Sequence, residues 1–253
     1  PPLPLGEGWG EEVEVISLEA PEAARGYLFA EKVFACAQAE AMAQGRARSL
    51  VWIDAGVLMV NPPRLYDLGE DFDAAVRPVH IKNVGLEAGD ALDGFWSKIY
   101  TTVGVEDTQQ TVETFVGQQR IRAYFNSHAF AVDPALGLLG EWAGMFQTLV
   151  GDRAFQATYC QDDLHQIFLF QALLSALLVS RLEWPRIRIL PPAYNYPYNL
   201  QAKVPSERRA RVLNDLVSVA YEERSLDPGQ MEDILVEEPL RSWLAGRNPP
   251  EDN

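Results

Sequence analysis

The stretch SLVWIDAGVLMVNPP, Ser49 to Pro63, places a single carboxylate, Asp54, inside a nearly continuous apolar run that ends at two prolines. Apolar runs of this kind are typical of strands that are covered on both faces. The run therefore predicts a central strand pair broken at Asp54. Two interpretations of the break stay open: Asp54 and Gly56 form a tight turn, or Asp54 is a ligand-binding residue at a strand end.

Strand and helix patterns alternate around this run. Strands are predicted at 14–18, 73–81, 123–132 and 186–190, and helices at 21–44, 136–150 and 162–178. Pro78 would restrict the second of these strands to a sheet edge or a turn. The alternation predicts an α/β fold for residues 1–205, with a mixed or parallel sheet sandwiched between helices. Residues 206–253 are predicted to form a C-terminal extension packed on this core, with an acidic tail that frays at its end.

Composition excludes several classes of protein. With 253 residues, 47% of them hydrophobic, the chain is long enough to bury a sizeable core. A net charge of −15 argues against binding to nucleic acid, which requires clustered Lys and Arg. No uninterrupted apolar stretch approaches the roughly 18 residues of a membrane span, and no signal peptide is recognisable. These observations predict a cytoplasmic protein in which Cys36 and Cys160 are buried thiols.

Four further motifs follow the opening stretch in a fixed order. They are DAAVRPVHI at 73–81, YFNSHAFAVDP at 124–134, CQDDLHQIFL at 160–169 and ILPPAYNYPYN at 189–199. With the preceding helix that carries Lys32, this order resembles the GT-A glycosyltransferases of the nucleotide-diphospho-sugar transferase superfamily, and within them the glycogenin-like branch. The resemblance covers about residues 25 to 200. It implies a nucleotide-sugar donor, an acceptor of unknown nature, and transfer of a sugar between them.

The metal site that this resemblance implies is incomplete. In the family, two carboxylates at i and i+2 hold Mn²⁺ or Mg²⁺ across the donor diphosphate. Here Gly56 stands in place of the second carboxylate, and Ala220 or Tyr221 stands where a late histidine would fall. A metal would therefore need another set of ligands, and His128, Asp162, Asp163 and His165 supply imidazole and carboxylate donors. Asp54 and His165 are the predicted metal ligands.

Basic residues offer an alternative to the metal. Lys32, Arg77 and Lys82 could neutralise the diphosphate of the donor. The competing interpretation of all three is that they are solvated surface charges.

The remaining site residues are assigned by the resemblance. Asn126 and Ser127 would bind the donor sugar, and His128, in place of a small glycine, would narrow its pocket. Asp162 or Asp163 would lie beside the reacting sugar or the acceptor. Alternatively, Asn126 caps a bulge, and the two aspartates are the N-cap and first turn of a helix.

The loop PPAYNYPYNL at 191–200 contains three tyrosines and two asparagines, which are residue types that carbohydrate-binding sites use. Tyr194 and Asn195 are its substrate-binding candidates, because aromatic rings stack on sugar faces and amides bind hydroxyls. The alternative is a loop packed over the sheet edge.

Only about twenty residues precede the Lys32 helix, fewer than the family's first nucleotide-binding strand and loop require. Either that half is missing from this chain, which begins at Pro1, or the fold is a reduced one. The incomplete metal site also supports a second functional hypothesis, a catalytically silent binding or scaffold protein that keeps the fold.

Overall fold

The computed structural model describes residues 15–222, 225–226 and 233–247. Strands and helices alternate along the chain, and the predicted α/β class is confirmed. The tail end predicted to fray, 248–253, lies outside the described residues. The α-helices are α1 (Ala30–Ala43), α2 (Gly94–Val103), α3 (Leu138–Gly151), α4 (Arg153–Tyr159), α5 (Asp163–Arg181) and α6 (Leu240–Arg247). The strands are β1 (Leu50–Ile53), β2 (Val57–Met59), β3 (Ala74–Pro78), β4 (Thr111–Glu113), β5 (Arg120–Arg122), β6 (Phe125–Val132), β7 (Ile187–Ile189), β8 (Tyr196–Pro197) and β9 (Ser218–Ala220).

The main sheet is mixed and has the strand order β1-β6-β3-β7. β6 runs antiparallel to both β1 and β3, whereas β3 and β7 are parallel. The predicted central position of the opening run is wrong, because β1 is an edge strand on which Val51 and Ile53 remain 37% and 40% exposed. The predicted edge position of β3 is also wrong. Pro78 occupies the last position of β3, where a missing N–H leaves the rest of the ladder intact.

The two halves of the opening run belong to different sheets. β1 joins the main sheet, whereas β2 pairs with β9 in a three-stranded sheet of order β2-β9-β8. β9 comes from the predicted C-terminal extension and lies between two strands of the predicted core. Part of the predicted extension therefore belongs to the same sheet as β2 and β8. The boundary at residue 205 stays a prediction.

The main core lies between the sheet and α1, α2, α3 and α5, with Val33, Phe130 and Leu173 among its buried side chains. The opposite face of the sheet is covered by a separate apolar cluster that includes Tyr66 and Tyr194. Every α5 residue from Leu169 to Leu178 is buried. By length and composition α5 could cross a membrane, with a mean hydropathy of 1.4, but 56% of that stretch is buried inside the protein, as in a core helix.

The N-terminal elements differ from the prediction. The helix predicted at 21–44 begins only at Ala30, after a short 3₁₀ turn at Glu22–Ala24. Gly26 and Phe29 have φ values of 81° and 63°, which a right-handed helix does not accommodate. Of the strand predicted at 14–18, Glu14 lies outside the described residues and residues 15–18 form no strand.

Candidate functional site

Asp54 forms the turn that separates β1 from β2. Its N–H donates to the carbonyl of His128 (2.8 Å), and its carbonyl accepts from the N–H of Val57 (3.0 Å). A Cβ added at Gly56 would lie 3.3 Å from the carbonyl oxygen of Tyr221, so the glycine allows a close approach of the backbone. The chain therefore turns at Asp54 as the turn interpretation predicts, although Gly56 does not have a positive φ. The role of the Asp54 side chain depends on its own contacts.

The Asp54 side chain is the centre of a polar cluster. Its Oδ2 atom accepts from Lys32 Nζ (2.8 Å) and lies 3.1 Å from His128 Nδ1, while Oδ1 accepts from Trp52 Nε1 (2.5 Å). Burial raises the pKa of Asp54, but the bonds from His128, Lys32 and Trp52 outweigh it and hold the pKa below its usual value. The carboxylate is therefore ionised at neutral pH, and a residue that only formed a turn would need none of these partners.

Lys32 supplies the positive charge beside this carboxylate. Its side chain is only 8% exposed, and Nζ also donates to the carbonyl of Ser127 (2.7 Å). The rings of Trp52 and Phe170 lie 5.7 and 5.3 Å from the ammonium. Burial lowers the pKa of Lys32, and Asp54 opposes that effect. Lys32 thus balances a charge that would otherwise be costly to bury.

The structure does not bring the two predicted metal ligands, Asp54 and His165, into one cluster. His165 Nδ1 lies 2.7 Å from Asp162, and its ring packs edge-on against Phe95 at 4.7 Å. Among the described residues, no group of three or more His, Cys, Asp or Glu side chains is placed to hold a metal ion.

A cavity of about 190 Å³ adjoins the Asp54 cluster. His128, half exposed, lies between the two, because its ring contacts Asp54 and also lines the cavity. The remaining lining mixes apolar and polar side chains, and amides predominate among the polar ones. This lining includes His80, Asn83, Asn126, Gln171, Asn199 and Glu222.

His80 is a buried histidine of the lining. Neither ring nitrogen has a hydrogen-bond partner among the described residues. Burial, together with the nearby Arg77 and His128, lowers the pKa of His80 well below its usual value. His80 is therefore neutral at physiological pH.

Asn126 acts as a bulge cap and also lines the cavity, while its contact with a sugar stays a prediction. Its Oδ1 accepts from the N–H of His128 (2.8 Å), as a bulge cap does, and from Nδ2 of Asn195 (2.9 Å), while the residue lines the cavity. Ser127 faces the other way. Its hydroxyl and its N–H both donate to Gln171 Oε1, at 3.0 and 3.1 Å, and it does not line the cavity. The predicted sugar contact of Ser127 is therefore absent from this cavity.

The tyrosine loop is packed inside the protein. Tyr194 is buried, its hydroxyl accepts from the N–H of Leu65, and its ring meets that of Tyr66 edge-on at 5.3 Å. Asn195 is fully buried and held by Asn126. The predicted sugar-stacking surface is thus replaced by the alternative of a packed loop, and the loop reaches the cavity through Asn199 instead.

Asp162 and Asp163 also have the alternative role, as the N-cap and the first turn of a helix. Asp162 caps α5 by accepting from the N–H of His165 (3.0 Å), and that bond is the main reason its pKa lies below the usual value. Asp163 is the acidic residue of the first turn. Neither aspartate lines the cavity. The predicted catalytic carboxylates therefore lie away from the polar cluster.

Arg77 is also separated from Lys32 and Asp54. It lines a second cavity, of about 390 Å³, that shares no lining residue with the first. The residues of the first cavity that the sequence interpretation missed include His80 and Gln171, whereas Asn199 belongs to the loop that it selected. Gln171 had a detectable signal, since it is a polar residue in a helix that is apolar on every side.

In comparisons with known proteins, no protein-family model matches this chain and no curated protein is significantly similar to it. The resemblance to GT-A glycosyltransferases therefore rests on the four motifs and their order. Any functional conclusion has to be drawn from the site.

Proposed function

We propose that the protein is a glycosyltransferase-like protein whose cavity beside His128 receives the sugar of a nucleotide-diphosphate-sugar donor. The observation that carries the proposal is the cavity with its amide side chains, joined through His128 to an ionised and largely buried carboxylate. Its volume of about 190 Å³ is below the roughly 300–1,000 Å³ typical of drug-sized ligands. The cavity therefore suits one sugar ring, with the nucleotide lying outside it.

The lining matches the chemistry of a sugar. Amides such as Gln171 and Asn199 both donate and accept, as sugar hydroxyls do. Phe168 and Tyr221 add apolar surface for the faces of the ring. A cavity that combines these groups discriminates among sugars by the positions of their hydroxyls, because an unmatched buried amide is costly.

His128 is the group best placed to handle a proton. With Nδ1 donating to the Asp54 carboxylate, the neutral ring carries its lone pair on Nε2. In this role His128 accepts the proton of an acceptor hydroxyl, the oxygen bonds to the anomeric carbon, and the nucleoside diphosphate leaves with the electrons of the broken bond. Asp54 orients the imidazole and stabilises its cationic form, and Lys32 keeps Asp54 ionised and in place.

The second candidate function is a catalytically silent sugar-binding or scaffold protein. The observation that favours it is the saturation of Asp54, whose two oxygens already meet Lys32, Trp52 and His128. A carboxylate with these partners has little need of a metal ion. The same cavity would then bind a sugar without transferring it.

The two functions are separated by one set of measurements on the full chain. Thermal unfolding with UDP-, GDP- and ADP-sugars, with and without Mn²⁺, identifies a donor, since a ligand at a hundred times its Kd adds about 2.7 kcal/mol. Hydrolysis of that donor is then measured for the native chain, His128→Asn and His165→Asn.

The control is matched, because His165 also pairs with an aspartate but lies outside the cavity. We expect a loss of about 100- to 10,000-fold for His128→Asn, the usual contribution of a general base, and no loss for His165→Asn. Donor binding without turnover would favour the silent protein. An absence of stabilisation by every donor would reject both the glycosyltransferase and a silent protein that binds a sugar nucleotide.

A further inference from the structure

Arg77, on β3, is a buried cation that has no counter-charge among the described residues. The residue is only 5% exposed, and its Nε and Nη2 atoms have no hydrogen-bond acceptor among the described residues. The guanidinium lies over the ring of Phe115, with 5.1 Å from Cζ to the ring centroid. Burying a charge without a partner is strongly unfavourable, so the position of Arg77 calls for an anion that the described part of the chain does not provide.

Other arginines of this protein show what is missing. Three of them bind a carboxylate through Nε and Nη2, the two atoms left without an acceptor on Arg77. They are Arg122 with Asp107, Arg181 with Glu141, and Arg186 with Asp73. Even the most buried of the three, at 9% exposed, is more exposed than Arg77. The arginine with the greatest need of a carboxylate is thus the one that lacks it.

The Arg77 side chain lines the second cavity, of about 390 Å³. Two further charged residues line it, Arg208 and Glu113, and they neutralise each other through a bond of 2.6 Å between Arg208 Nη2 and Glu113 Oε1. The positive charge of Arg77 therefore remains uncompensated. Phe115 and Trp184 supply aromatic walls, and Leu190 with three prolines makes the rest largely apolar.

We propose that this second cavity binds a small organic anion, with its carboxylate facing Arg77 and its apolar or aromatic body lying against Phe115 and Trp184. Burial and the nearby Arg208 lower the pKa of Arg77 to about 10, so the guanidinium keeps its charge at neutral pH. Its shielding from water strengthens its attraction for an anion in the adjoining cavity. The site is separate from the sugar cavity and does not depend on the proposed transfer reaction.

The test measures binding of simple probes to the full chain at constant ionic strength. Benzoate, acetate, inorganic phosphate and the neutral benzyl alcohol are titrated by calorimetry and by thermal unfolding. Three variants accompany the native chain. Arg77→Met removes the charge but keeps an apolar stem, Ile189→Trp fills the cavity from its rim, and Arg46→Met removes an exposed arginine elsewhere.

We expect saturable stabilisation by benzoate, stronger than by acetate or phosphate, and none by benzyl alcohol. Arg77→Met and Ile189→Trp should each weaken the binding of benzoate at least about tenfold. Arg46→Met should leave the affinity for benzoate unchanged. Arg77→Met should fold, since replacement of an uncompensated buried charge by an apolar side chain is often stabilising. Equal benzoate affinity in native and Arg77→Met, or no saturable binding of any anion to the native chain, would overturn the proposal.

Discussion

Two aspartates of this protein each hold the Nδ1 atom of a histidine, and the two pairs differ in everything except that contact. Asp162 and His165 are three residues apart, the Asp162 side chain is more than half exposed, and the aspartate caps α5. Asp54 and His128 join the end of β1 to the middle of β6, share a buried lysine, and adjoin a polar cavity. A local pair of this kind serves its helix, whereas a pair assembled by the fold around a buried charge marks a candidate site.

The largest expected effect comes from Lys32, the buried cation that binds Asp54. Lys32→Met removes the partner of Asp54 and leaves its carboxylate uncompensated, so the free energy of unfolding should fall by about 3–5 kcal/mol. Urea denaturation measures this loss. The control is Lys98→Met, whose pair with Asp152 is more exposed and should matter far less. Equal losses in the two variants would mean that the Asp54 cluster is an ordinary surface pair.

A smaller effect is expected from the amide that supports β6. Gln171 Oε1 accepts from both the N–H and the hydroxyl of Ser127. Gln171→Leu leaves these buried donors unsatisfied, which should lower the free energy of unfolding by about 1–3 kcal/mol. Gln166→Leu is the control, because that amide is partly exposed and water can replace its bond to Cys160. If urea denaturation shows no difference between the two leucine variants, the β6–α5 contact is less important than its geometry indicates.

The loss of stability at acidic pH should distinguish Asp54 from Asp162. The pKa of Asp54 is lower in the folded protein, so its contribution is present above the unfolded value of about 3.9 and is lost as the pH falls through the folded value. Asp54→Asn should therefore flatten the dependence of the unfolding free energy on pH below about 4. Asp162→Asn should flatten it less, because Asp162 is more exposed. If the unfolding free energies of the native protein and Asp54→Asn depended on acidic pH in the same way, Asp54 would not carry the charge assigned to it.

The smallest expected effect is that of the helix cap. Asp162→Ala removes the acceptor for the N–H of His165, so the melting temperature should fall by less than it does in Gln171→Leu. Ligand binding should not change, because the cap does not line the cavity. A loss of ligand binding in Asp162→Ala would restore this aspartate as a site residue.

The sequence predicted local features well and long-range ones poorly. The break at Asp54, the long apolar helix and the strand at 125–132 follow from patterns within a few residues. The edge position of β1 could not be predicted in this way. An apolar run has the same sequence pattern whether its second half stays in the same sheet or joins another one, as β2 does.

Only part of the site could be predicted for the same reason. Asp54, Lys32 and His128 were selected from motifs, and the fold brings them together. Asp162 and the tyrosine loop were selected on equal grounds but are satisfied locally or by packing. Residue type shows which chemistry a side chain offers, whereas its partners depend on contacts between distant segments.

The central claim is that Asp54, through its charge, serves the cavity. Calorimetric titration with the most stabilising sugar nucleotide, applied to native protein, Asp54→Asn and Asp162→Asn, tests it directly. Asparagine keeps the backbone bonds of a turn but removes the charge that holds Lys32 and orients His128. The account predicts at least about tenfold weaker binding for Asp54→Asn and native binding for Asp162→Asn. Equal affinity in all three proteins would contradict it and reduce Asp54 to the turn that its backbone forms.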